Sequence, residues 1–227
     1  MHHYIMLQYI RDAIYFIIDL LSPEDKKIKR WLKLDPGELA CRLPKPRPID
    51  TSLVSALFDY RDDKVRALVR AIKYRGNREV IKRIAGYFYE EIIELVSDMA
   101  LFEVGREIII VPMPISDERR AERGWSQCDL LCREIEKMCD KDITVRFDIL
   151  KKVKDTKKQT DLKREERQSN VKGSMKASLT ENSKLKIENC IFIVIDDVYT
   201  TGATFSEAKR ALKEAEAKKV LGFFLAH

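Results

Sequence analysis

The stretch Val194-Ile-Asp-Asp-Val-Tyr-Thr-Thr-Gly-Ala-Thr204 overlaps the end of a continuous apolar run, IFIVI (191–195). An unbroken apolar pentapeptide without alternation fits a strand covered on both faces, as in a parallel sheet. ATFSEAKRALKEAEAKK follows, with Ala208, Ala211, Leu212 and Ala215 at helical spacing, and VLGFFLA then reads as a final strand. Upstream, EIIIVPMP (107–114) reads as a short buried strand stopped by prolines, residues 119–138 as mostly helix, and ITVRFDIL (143–150) as another strand. Strands alternating with helices predict an α/β fold with a doubly wound, mostly parallel sheet. A helical hairpin precedes them. Val65, Leu68, Val69 and Ile72 recur at helical spacing, Gly76 and Asn77 break that helix, and a second helix is expected over 78–97.

In such sheets ligands bind beyond the carboxyl ends of the strands, which is where Asp196 and Asp197 are expected to stand. The next turn leads into a helix whose first N–H groups have no internal partner. It offers backbone donors, threonine hydroxyls and a positive dipole end to an anion, and Gly202 lets the backbone come close. A strand ending in an acidic helix cap is the structural alternative, but one cap needs one Asp or Thr. Two acids ahead of a phosphate cradle would repel the phosphate, so they must face something else, most sensibly sugar hydroxyls. A ribose 5-phosphate moiety satisfies both halves of the motif.

VIDDVYTTGAT resembles the signature of type I phosphoribosyltransferases, which bind phosphoribosyl pyrophosphate (PRPP). AIKYRGNREVIKRIAGYF, VPMPISDERRAERGWSQCDLL and KDTKKQTDLKREERQSNVKGSM resemble landmark segments of the ComF-type, competence-associated branch, so the likeness covers roughly residues 58–227. The resemblance implies that Asp196 and Asp197 hold the ribose hydroxyls and that Thr200, Thr201, Gly202, Ala203 and Thr204 wrap the 5-phosphate. Arg119, Arg120 and Arg123 would fall in the pyrophosphate-binding region, with a solvated helix face as the alternative for each. The stretch 151–172 would be the flexible catalytic loop, with Gln159, Arg164, Arg167 and Asn170 as its working residues. Gln127 and Lys73 match family positions without an evident role. Mg2+ would arrive with PRPP and assist departure of pyrophosphate, with no direct protein ligand expected. Oxopurine relatives usually carry an Asp at the place of Thr200, and a threonine hydroxyl cannot accept a proton near neutral pH, which disfavours an acceptor handled that way. Many relatives begin with a four-cysteine zinc ribbon, whereas here that region holds Cys41 alone and an apolar helix instead.

Length and composition set the remaining expectations. The chain has 227 residues, 45% hydrophobic, enough for one full core and an appendage. Residues 1–50 are expected to form an apolar helix (4–21) and a Pro-rich linker (LPKPRPID, 43–50), and residues 51–227 the phosphoribosyltransferase domain. Arg11, Asp12 and Asp19 interrupt the apolar helix, so it is too short to span a bilayer and is expected to dock on the protein's own core or on a second subunit, giving a homodimer. The cysteines, Cys41, Cys128, Cys132, Cys139 and Cys190, lack metal-ligand spacing and nothing signal-like precedes them, so reduced thiols in a cytoplasmic protein are expected. Net charge is +6, yet residues 151–186 alone carry twelve Lys/Arg against five Asp/Glu. Such a local excess fits a polyphosphate, nucleic acid or a plain solvated loop. Three functions therefore stand: a phosphoribosyltransferase of unidentified acceptor, a PRPP- or nucleotide-sensing binding protein, and a DNA-uptake accessory protein.

Overall fold

The computed structural model describes residues 42–100, 105–140, 142–154, 166–178 and 187–227. The expected N-terminal helix, Cys41, Gln159 and Arg164 lie outside them. The described elements are β1 (Val54–Phe58), α1 (Asp63–Arg75), α2 (Arg78–Ala100), β2 (Glu107–Pro112), α3 (Asp117–Arg123), α4 (Gln127–Glu136), β3 (Ile143–Val145), β4 (Leu150–Lys152), α5 (Glu166–Val171), β5 (Met175–Ala177), a 3-10 turn (Ile187–Asn189), β6 (Cys190–Val198), α6 (Ala203–Glu214) and β7 (Lys219–Ala226).

Five strands form one parallel sheet in the order β1-β7-β6-β2-β3, and β4 pairs with β5 in a separate antiparallel ladder. The fold is thus α/β with a doubly wound sheet, as the alternation of elements predicts. Strand alternation divides the core into two layers. Ile108, Ile110, Ile191, Ile193 and Ile195 pack under α1, α2 and α4. Ile109, Val111, Phe192 and Val194 pack under α6 and the β4–β5 ladder. Every residue from Ile191 to Ile195 is at most 1% exposed, so the apolar pentapeptide is covered on both faces. Each of those side chains contributes about 1.5–3 kcal/mol by leaving water.

The chain leaving β2 crosses one face through α4 to reach β3 on one side, while the chain leaving β6 crosses the other face through α6 to reach β7 on the opposite side. Connections that diverge in this way open a crevice at the carboxyl ends of β2 and β6. A close approach seats α6 there. A Cβ on Gly222 of β7 would lie 2.7 Å from Phe224 and 2.8 Å from Phe205, so only glycine leaves room for the first turn of α6 against the sheet.

Several boundaries differ from the sequence expectation. Residues 119–138 form two helices because Gly124 closes α3 in a left-handed conformation (φ 80°) and Ser126 opens α4 by accepting from the Asp129 N–H at 3.3 Å. ITVRFDIL is not one strand. The chain bends after Val145, where the Arg146 guanidinium grips both Asp148 oxygens at 2.8 Å, and Leu150 then joins the antiparallel ladder. Part of the expected long loop is ordered structure, Lys151 and Lys152 in β4 and residues 166–171 in α5. Strand β1 was not expected at all, since it is short and only half-covered in its middle. Asp196 and Asp197 lie inside β6, which outruns β2 and pairs with β7 as far as Val198.

Candidate active site

The two acids take different partners because successive residues of a strand face opposite sides. Asp197, in phase with Ile193 and Ile195, meets α1 and α4. Its Oδ2 lies 2.8 Å from the Lys73 ammonium and accepts from Gln127 Nε2 at 3.3 Å, while Oδ1 accepts the Val198 N–H at 2.9 Å. Asp196, in phase with Val194, accepts its neighbour's N–H at 2.8 Å and the Cys128 thiol at 3.5 Å, both on Oδ1. Both acids are buried, 9% and 8% exposed. Among the described residues, two carboxylates therefore share one close cation.

The electrostatics follow from that imbalance. Burial and the adjacent Asp197 charge push Asp196 up to about 7. Burial would raise Asp197 too, but the Lys73 ammonium outweighs it and holds the carboxyl below the ordinary range. Lys73 is the mirror case: burial works against its charge, and Asp197 more than compensates, raising it. Burial, with both acids nearby, pushes the Cys128 thiol well above its usual value, so it stays a neutral donor.

Lys73 reaches the acids because α1 does not run back along the sheet. Its last turn ends at the carboxyl edge, where Gly76 (φ 55°) lies against the Trp125 ring and α2 then makes the return. Around this junction Arg123 Nη1 donates to Gln127 Oε1 at 3.4 Å and its guanidinium sits 5.4 Å from the Tyr74 ring centre. Arg123 is thus joined to Asp197 through Gln127. Arg120 instead pairs with Asp129 at 2.8 Å, and Arg119 is half-buried on the same short helix. The roles of Lys73 and Gln127, opaque in the sequence, become those of partners to the second acid. A lysine at the end of a helix that stops on Gly was the available signal.

Beyond β6 the chain crosses the carboxyl edge. Thr200 is exposed, Thr201 and Thr204 half-buried, and Gly202 and Ala203 buried. Gly202 is the N-cap of α6, left-handed at φ 73°, and supplies no side-chain bond to the first turn. The Ala203 N–H meets the Thr201 hydroxyl at 3.4 Å. This is an uncapped helix start with positive dipole character, one strand-end away from the acids. A further reason for glycine lies on its other side. A Cβ at Gly202 would stand 2.5 Å from the Tyr199 hydroxyl, so the adjacent space holds that phenol, itself packed edge-on against Phe224 at 5.0 Å.

The expected loop residues are less closely gathered. Arg167 and Asn170 belong to α5, which packs on α6, and Asn170 is half-buried. A clamp holds the neighbouring β5 down. Glu207, 4% exposed on α6, accepts the Met175 N–H at 3.1 Å and pairs with Arg210 at 2.8 Å, while Arg210 donates to the Met175 carbonyl at 2.9 Å. Cys128, Cys132, Cys139 and Cys190 are free thiols, and among the described residues no group of three or more His, Cys, Asp or Glu could hold a metal. Among the same residues no helix is long and apolar enough to cross a membrane.

Comparison with known proteins agrees with this geometry. Residues 143–223 match the phosphoribosyl transferase domain family. Competence protein ComFC of Bacillus subtilis is 25% identical over 96% of this chain and 91% of its own. Competence protein F of Haemophilus influenzae is 29% identical over 49% of this chain and 46% of its own, and Competence protein ComFC of Streptococcus pneumoniae 29% identical over 75% and 66%. A hypoxanthine phosphoribosyltransferase structure from Staphylococcus aureus is 16% identical, covers 66% of this chain and 64% of its own, and superposes with a TM-score of 0.34, a level on which nothing is built. The chain thus carries a phosphoribosyl transferase domain match over the strand, acid pair and turn, and it is similar to ComF-type competence proteins, to one of them along almost its whole length.

Proposed function

We propose that the protein binds PRPP at the carboxyl edge of β6 and transfers its phosphoribosyl group to an acceptor, a nitrogenous base by preference, releasing pyrophosphate. One observation carries the reading: a buried acid pair stands directly ahead of a helix start whose N-cap, Gly202, offers no side-chain bond. Acceptors suited to hydroxyls thereby stand in the chain just ahead of backbone donors suited to a phosphate, the two contacts that a pentose and its phosphoester require. In this reading Asp196 and Asp197 take the ribose hydroxyls, the backbone and hydroxyls of Thr200–Thr204 take the 5-phosphate, and Arg123 is placed to meet negative charge near the crevice mouth. Arg119, Arg120, Asn170 and the loop residues Gln159, Arg164 and Arg167 are assigned by family position alone.

Mg2+ fits this donor chemistry as a companion of the substrate. The two acids are fewer than a dedicated site would use and are engaged with the sugar, so pyrophosphate oxygens and water would supply its shell. Bound there, it would neutralise charge on the leaving group. The protein's own work would be orientation: the strand fixes two acceptors for the sugar and the turn would hold its phosphate. Calorimetric titration with PRPP and Mg2+, followed by a screen of bases for pyrophosphate release, tests the proposal. Binding with turnover on some base supports the enzyme. Binding without turnover on any acceptor moves the assignment to a PRPP-sensing protein, and absence of binding removes both.

A further inference from the structure

Three facts single out Lys73. It comes from α1, outside the strand and turn that make the pentose and phosphate contacts. Among the described residues its ammonium is the one cation paired with either acid, 2.8 Å from Asp197 Oδ2 with its side chain 26% exposed. The same oxygen accepts from Gln127, whose own oxygen is held by Arg123. Asp197 is therefore occupied on both oxygens, whereas Asp196 has its bonds on Oδ1.

We infer that Lys73 is a positioning residue for the sugar site, holding Asp197 in place as a fixed, charged acceptor and leaving Asp196 as the acid whose free edge faces an incoming hydroxyl. The inference rests on the pentose reading above. Without the ammonium, two neighbouring buried carboxylates cannot both stay ionised, since each opposes the other's charge. The proton that Asp196 already keeps up to about pH 7 would then be shared by the pair and held to higher pH, so that the sugar would meet a protonated pair over a wider range. The groups that set this balance are Lys73 and Tyr74 on α1, Cys128 with the Gln127 amide on α4, Arg123 on α3 through that amide, and the two acids on β6. The elevated position of Asp196 and the lowered one of Asp197 agree with a single cation committed to Asp197.

The test uses the full chain, titrated calorimetrically with ribose 5-phosphate from pH 5.5 to 9 (roughly the range spanning both ligand and acid titrations). Inorganic phosphate is titrated in parallel to remove the phosphoester's own ionisation. In Lys73→Met, ribose 5-phosphate affinity at neutral pH should fall about tenfold to a hundredfold, while phosphate affinity changes little. Its pH profile should also move upward by about one unit or more. Lys73→Arg should restore the wild-type midpoint. A uniform loss with an unmoved midpoint, or no loss, overturns the inference while leaving the pentose site standing. Failure of the wild-type chain to bind ribose 5-phosphate overturns the pentose reading itself. Should Lys73→Met not fold, Gln127→Leu, which removes the other donor to Oδ2 without deleting a charge, should weaken sugar binding with little displacement of the profile; a large displacement there would refute the role given to Lys73.

Discussion

Replacing Asp196 with Asn should make the protein more stable at neutral and alkaline pH, because the native carboxyl resists ionisation when buried and its charge, once forced on it, costs the folded state stability. The shift runs from 3.8 to about 7. At roughly 1.36 kcal/mol per unit, three units correspond to about 4 kcal/mol if the whole shift persists, and about 2 kcal/mol after local relaxation around the buried charge. The sign follows from the folded value lying above the unfolded one. The contribution is fully present below about pH 4, is lost as pH rises towards 7, and stays lost above it. Asn keeps the oxygen that accepts the Asp197 N–H and the Cys128 thiol, so the exchange removes the charge with little change in shape. Urea unfolding followed by circular dichroism, in phosphate-free buffers from about pH 4 to 8, measures the difference. The two proteins should unfold together near pH 4 and diverge through the interval, with the variant's midpoint about 1 M urea higher or more by pH 8. Curves separated equally at every pH, or a variant less stable at pH 8, would refute the assignment of a buried, under-neutralised Asp196.

Other consequences are independent of ligand. Lys73→Met should cost about 3–5 kcal/mol near pH 8 by leaving Asp197 buried without its cation, and adding Asp197→Asn should recover most of the loss, as read by the same unfolding curves. Because Asp197 is held below the ordinary range, its stabilising pairing is present above about pH 4 and disappears as pH falls through its lowered value; in Asp197→Asn that acid-side decline should shrink. Gly202→Ala should weaken phosphate binding and cost about 1 kcal/mol or more, since it imposes a side chain on a left-handed residue and on the Tyr199 phenol; unchanged phosphate affinity by calorimetry would place the anion elsewhere. Arg210→Ala should release β5 from α6, seen as faster amide exchange at Met175 while the β6 amides stay protected.

The parallel sheet and its crevice were legible because β6 is a run of apolar residues and the turn after it is chemically odd; both signals are local and strong. The helix pair α1–α2 was legible for the same reason, with Gly76 marking the break. What stayed hidden depends on distance along the chain. Lys73 and Asp197 are separated by more than half of it, and no spacing rule reports that α1 ends over the acids instead of running back along the sheet. The two-strand ladder was hidden because it buries little beyond Leu150 and Met175, too few residues to show a period. Strand β1 failed as a signal since Ser55 and Ala56 interrupt its apolar residues at the sheet's edge. The second demand on Gly202 was hidden, as nothing in TTGAT reveals that Tyr199 folds back upon it.

The site joins these threads through charge. A core strand as apolar as IFIVI gains from every residue it buries, yet it ends in two acids that gain nothing from burial and receive one ammonium between them. A purely structural strand end would have dispensed with the second carboxylate, since a single Asp paired with Lys73 leaves no uncompensated charge. The surplus acid is tolerable only where a ligand supplies the missing donors, and sugar hydroxyls do so without bringing a charge of their own. An anion at the same spot would add to the repulsion and belongs at the helix start beyond. In the proposed reading the arrangement therefore divides its labour along the chain: the strand spends stability to hold acceptors dry, and the turn would collect the phosphate that keeps a pentose against them.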